Sequence, residues 1–155
     1  MTSQSSPLSL ADAGAESVSK IAYDSLEEAF PEVDPGLRPF GDKVLVQIRT
    51  PRTRTASGLI LPDETRETEQ WNTQVAKVIA LGPVAFRNRD TLEPWPEGSW
   101  VYPGMYVRCP KYGGDRWQVR IPNSPDNALF VQFRDHDLSG EIPESKVLDT
   151  IAYIL

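Results

Sequence analysis

Side chains able to do acid–base, nucleophilic or metal chemistry are sparse in this chain. His136, the single histidine, stands between Asp135 and Asp137 in an acidic, turn-rich stretch that runs to Lys146. A lone histidine between two acids in a turn reads as a solvated loop rather than as a general acid or base, which needs a partner fixed in a cleft. Cys109 is the single cysteine, so an internal disulfide framework is excluded, and one cysteine with one histidine is too few soft ligands for a usual zinc site. Neither a GxxxxGK[ST] phosphate loop nor a GxGxxG turn occurs. These residue types predict no enzyme, no metal and no cofactor.

The distinctive chemistry is apolar. In Pro51–Arg66, PRTRTASGLILPDETR, three consecutive aliphatics, Leu59, Ile60 and Leu61, sit between Gly58 and Pro62 within a polar and charged run. One reading is a flexible loop that displays a hydrophobic patch for a partner to bury. The other is a short buried strand after a glycine turn. The residues of this stretch alone leave both open.

The surrounding pattern is β. Val44, Val46 and Ile48 share one face of a strand, with Lys43, Gln47 and Arg49 on the other. Thr73 to Leu81 reads as a second strand, and Met105, Val107 and Cys109 alternate in a third. Trp117, Val119 and Ile121, then Leu129, Val131 and Phe133, alternate in two more. The run Thr150 to Leu155 is too apolar to hang free. Short strands, Gly/Pro turns and no long helix predict an all-β fold, a small barrel or sandwich. Two segments interrupt the plan: Phe86–Gly104, which carries Pro94, Trp95, Pro96 and Trp100, and the acidic Asp135–Lys146. Prolines there argue against a central strand, and Trp95 reads as a packed side chain.

Charge divides the chain. Residues 1–36 hold seven acids against Lys20, a balance of −6, which equals the net charge of the whole chain and leaves the remainder with 15 acids and 15 bases. That predicts an acidic extension over 1–36, disordered at its start, with a short amphipathic helix over 16–30 stopped by Pro31, joined to a neutral domain over 37–155. Removing 1–35 is then expected to leave the domain folded. Trp117 between Arg116 and Arg120 could mimic a stacking platform, but a neutral body and acidic arm argue against nucleic acid. No stretch has the apolar length of a membrane span, and the N-terminus lacks a secretory pattern, so the expected location is cytoplasmic.

Taken in order, LRPFGDKVLVQ (37–47), ASGLILPD (56–63), VAKVIALGP (75–83), PKYGG (110–114) and LDTIAYIL (148–155) resemble the GroES-type co-chaperonins over about 37–155. The resemblance implies an irregular small β-barrel with a mobile loop, in a homo-oligomeric ring, a heptamer, that caps a GroEL-type chaperonin and encloses an unfolded client. It implies that Leu59, Ile60 and Leu61 anchor the loop on the chaperonin, with Gly58 allowing the turn, and it moves the reading of that loop toward a displayed patch. It implies that Leu37 and Pro39 of one subunit and Ile151, Tyr153, Ile154 and Leu155 of the next form the subunit interface. Adenine nucleotide would be bound and hydrolysed by the chaperonin. Pro94, Trp95 and Pro96 fall where the family has its roof hairpin, rebuilt here. With the added arm, this points to a divergent member, of the kind a bacteriophage would encode for use in its host's cytoplasm. A viral structural or decoration β-barrel that forms rings on a capsid or tail is the alternative. Medium-chain dehydrogenases also carry a GroES-like domain, but they need zinc ligands and a dinucleotide-binding partner domain that this chain lacks.

Overall fold

The computed structural model describes residues 25–50 and 74–149. Its strands are β1 (Lys43–Ile48), β2 (Val75–Leu81), β3 (Tyr106–Arg108), β4 (Asp115–Arg120), β5 (Asn127–Arg134) and β6 (Gly140–Glu141). They form one six-stranded antiparallel sheet in the order β4-β5-β1-β2-β3-β6. The all-β expectation holds, with every alternating run in a strand or at its edge. β6 lies in the acidic Asp135–Lys146 segment, where two residues are too few to show a period.

Alternation decides the faces. Val44, Val46 and Ile48 of β1 join Ala76, Val78, Val107, Leu129, Val131 and Phe133 in the main core. Phe86, Val101 and Leu138, from the two interrupting segments, complete it. Each fully buried Val, Leu or Ile in such a cluster contributes about 1.5–3 kcal/mol. A bulge in the β1–β2 pairing, where Leu45 faces Ala80 but Val46 faces Val78, puts Ile79 and Ala80 together in the second cluster.

That second face is covered as well. The helix expected over 16–30 is described only at its end, as one turn, α1 (Leu26–Ala29). Its start is capped by Ser25, whose Oγ accepts from the Glu28 N–H at 3.1 Å. Ala29 and Phe30 are buried, Phe30 tilted against Tyr106 with ring centroids 5.3 Å apart. Beyond the turn, Val33 and Leu37 pack on Leu45, Ala128 and Phe130. Pro31 O accepts from Gln47 Nε2 at 2.9 Å, and Pro35 O accepts from Trp117 Nε1 at 2.8 Å. Residues 25–37 are thus fastened to the sheet through the polar groups of β1 and β4. Among the described residues, no helix is long and apolar enough to cross a membrane.

Candidate partner-binding site

β1 and β2 are antiparallel neighbours with Ile48 opposite Ala76. The chain therefore leaves the sheet at Thr50 and returns at Gln74 on adjacent strands. Both stems are held. On the outgoing side, Arg49 N donates to Val75 O at 3.0 Å and Thr50 N to Ala29 O at 2.8 Å. Arg49 is 3% exposed, and its Nη1 donates to Val147 O at 2.9 Å, tying the stem to the far end of the domain. On the returning side, Cys109 N donates to Gln74 O at 2.9 Å, and Arg108 Nη2 donates to Gln74 Oε1 at 3.1 Å. Gly58, Leu59, Ile60 and Leu61 belong to residues 51–73, outside the described residues, as do Ile151, Tyr153, Ile154 and Leu155. Leu37 is half-buried on the second cluster and Pro39 is buried, while Arg38 and Phe40 between and beside them stay exposed.

The Phe86–Gly104 segment starts at a tightly built corner. Gly82 follows β2 and meets the turn at Gly41: an added Cβ would collide with the Gly41 carbonyl oxygen and stand 2.9 Å from Phe40 O. Phe86 adopts φ 60°, unusual for a bulky residue, and its N–H donates to Asp135 Oδ2 at 2.9 Å. Asp135 is 2% exposed; its Oδ1 accepts from His136 N at 2.8 Å, and its own N–H donates to Asp42 O at 3.0 Å. The Asp135–His136–Asp137 run therefore is a 3-10 turn whose first carboxylate works inward on main-chain donors. Sequence reasoning missed that role, because it depends on a donor, Phe86 N, far away along the chain.

From this corner Arg87 pairs with Pro94 in an isolated bridge, and Trp95 N donates to Phe86 O at 3.0 Å. Trp95 meets Phe86 edge-on at 5.3 Å between centroids and Trp100 at 5.1 Å. Trp95 thus packs against the core, between Pro94 and Pro96, whose side chains stay exposed.

Ionisable groups here serve the fold. Burial would raise the Asp42 carboxyl, but hydrogen bonds at 3.2 Å and the charge of Arg134, with Lys43 nearby, outweigh it and leave the group below its ordinary value. Burial pushes the Cys109 thiol up to about 12, against the pull of Arg116 and Arg108. Among the described residues, no group of three or more His, Cys, Asp or Glu side chains could hold a metal ion.

Against known proteins, the family described as the chaperonin 10 Kd subunit matches residues 36–141. The chain belongs to that family. Among relatives, the co-chaperonin GroES of Rhodothermus marinus is 31% identical over 110 residues, 71% of this chain and 95% of that protein. The co-chaperonin GroES of Corynebacterium jeikeium is 41% identical over 78 residues, 50% of this chain and 71% of its own length. That of Corynebacterium glutamicum strain R is 43% identical over 58 residues, 37% of this chain and 54% of the relative. Membership makes this protein a co-chaperonin, and the small β fold is the one the resemblance implied. Residues 25–35, which fasten the arm to the sheet, precede the family match.

Proposed function

We propose that this co-chaperonin assembles as a homo-oligomeric ring, caps a GroEL-type chaperonin in the presence of adenine nucleotide and encloses an unfolded client. Its anchor is Leu59, Ile60 and Leu61, with Gly58 as the turn, presented between the stems at Thr50 and Gln74. The observation that carries this reading is the pair of fastened stems on adjacent strands, bracketing an aliphatic triplet within a family match. A loop used as a grip needs feet that do not yield when its tip is pulled.

The energetics suit a reversible grip. Burying three large aliphatics is worth roughly 5–9 kcal/mol gross at about 1.5–3 kcal/mol each. Ordering about half a dozen loop residues offsets much of this, at roughly 1 kcal/mol or more each. One loop binds weakly, and a ring of them binds by avidity. Nucleotide would be bound and hydrolysed by the chaperonin, with no cofactor on this chain. Between subunits, Leu37 and Pro39 would face Ile151, Tyr153, Ile154 and Leu155 of the next copy by strand addition.

The test is capture on an immobilised bacterial chaperonin with and without adenine nucleotide. Wild-type protein should be retained with nucleotide, and Ile60→Asp should be lost while its elution on sizing is unchanged. Retention of the Asp variant would remove the triplet from the binding site; an unfolded or dissociated variant would make it part of the core.

A further inference from the structure

The two segments that break the strand pattern, Phe86–Gly104 and Asp135–Lys146, converge. Between them lies a groove of about 340 Å³ lined by Glu97, Trp100, Val101 and the run Leu138–Glu141. Val101 and Leu138 are buried and form its apolar floor, while Trp100 is 38% exposed beside them. Glu97 and Glu141, both exposed, supply its two carboxylates. One wall is β6, the last strand of the described sheet. Val107 pairs with Glu141, and Ile142 N donates to Tyr106 O at 2.8 Å next to that pair. In an antiparallel ladder this pattern turns the main-chain N–H and C=O of Glu141 away from β3, toward whatever lies along the edge.

We propose that this groove is a docking site for an extended polypeptide segment in trans that carries an aliphatic or aromatic anchor flanked by lysine or arginine. The apolar floor takes the anchor, the Trp100 ring covers it, and Glu97 and Glu141 receive the flanking cations. The main chain of the segment adds along Glu141, the mode by which sheet edges take up peptides. Charge complementarity selects the occupant: a glutamate-flanked segment would meet two carboxylates, and one without an apolar residue would leave the exposed Trp100 ring uncovered. None of the groove's lining residues belongs to the segment between Thr50 and Gln74, so its test does not depend on chaperonin capture.

The probes are fluorescein-labelled octapeptides with a central Leu-Phe pair, flanked by lysine or by glutamate, titrated with the full chain by fluorescence anisotropy. The lysine-flanked peptide should bind about tenfold more tightly than the glutamate-flanked one, and raising salt should shrink the gap. The double variant E97K/E141K changes two exposed side chains and should invert the preference; Trp100→Ala should weaken both peptides. Equal binding of the two peptides, no binding, or a preference unchanged in E97K/E141K would overturn the proposal. So would a change in particle size in E97K/E141K, which would make the groove a contact between copies, or loss of chaperonin capture in that variant, which would assign it to the chaperonin.

Discussion

Charge along the chain predicts that residues 1–35 are dispensable, whereas the packing of Phe30 predicts that the last part of that segment is not. Phe30 is 4% exposed, in a cluster with Ala29, Val75, Tyr106 and Val147. Truncating a buried phenylalanine to alanine costs about 3–5 kcal/mol. Deleting 1–35 removes that side chain and three main-chain acceptors, Ala29 O, Pro31 O and Pro35 O, whose donors are Thr50 N, Gln47 Nε2 and Trp117 Nε1. At about 1 kcal/mol for each lost bond, the total of roughly 6–8 kcal/mol falls within the roughly 5–15 kcal/mol that holds a typical domain together. Deleting only 1–24 removes none of these contacts. Urea unfolding at one fixed protomer concentration, followed by tryptophan fluorescence, should therefore rank the proteins as follows: the 1–24 deletion near wild type, Phe30→Ala about 3 kcal/mol lower, and the 1–35 deletion lower still or unfolded. A 1–35 deletion that melts with the full chain would refute the view that residues 25–35 are part of the folded unit.

Gly82→Ala should destabilise by about 1–3 kcal/mol, because the Gly41 backbone must move to admit a Cβ; an unchanged urea midpoint would show that the corner yields freely. Asp42 is held below its ordinary value, so its contribution is full above the unfolded carboxylate range and is lost as pH falls through the lowered value. Because Arg134 is half-exposed, Asp42→Asn should flatten the acid limb of stability by about 1 kcal/mol or less, and an identical acid limb in wild type and variant would remove Asp42 from the acid response. With its thiol pushed up to about 12 by burial, Cys109 should resist a maleimide at pH 7 in the folded protein and react in urea. Rapid labelling of the native protein would show that the chain just after β3 opens.

Strands were legible where a two-residue period ran long enough to be seen, as in Val44, Val46, Ile48 and in Leu129, Val131, Phe133. A barrel strand with one wet face would show polar residues outward, and Gln47 and Arg49 fit that outline. Both are in fact buried, because residues 29–35 and Val147 bring main-chain carbonyls to their side chains. Nothing local to Gln47 signals an acceptor at Pro31, and nothing near Trp117 signals one at Pro35. The acidic side chains of the arm suggested an appendage apart from the domain, while Ala29, Phe30 and Val33 within it do the packing. Asp135 was misread for a related reason: a carboxylate that serves main-chain N–H groups across the fold has the same local sequence as one that faces water. The aliphatic triplet, by contrast, was conspicuous because it broke its own surroundings.

Fixing Thr50 and Gln74 beside the ends of neighbouring strands turns the domain into a socket. The entropy of closing a segment between two such feet grows only as the logarithm of its length, about 0.6 kcal/mol for each doubling. Sequences of different length and composition can therefore be spliced between those two residues with little disturbance to the sheet. The address a co-chaperonin of this build carries could be rewritten without redesigning the body that carries it.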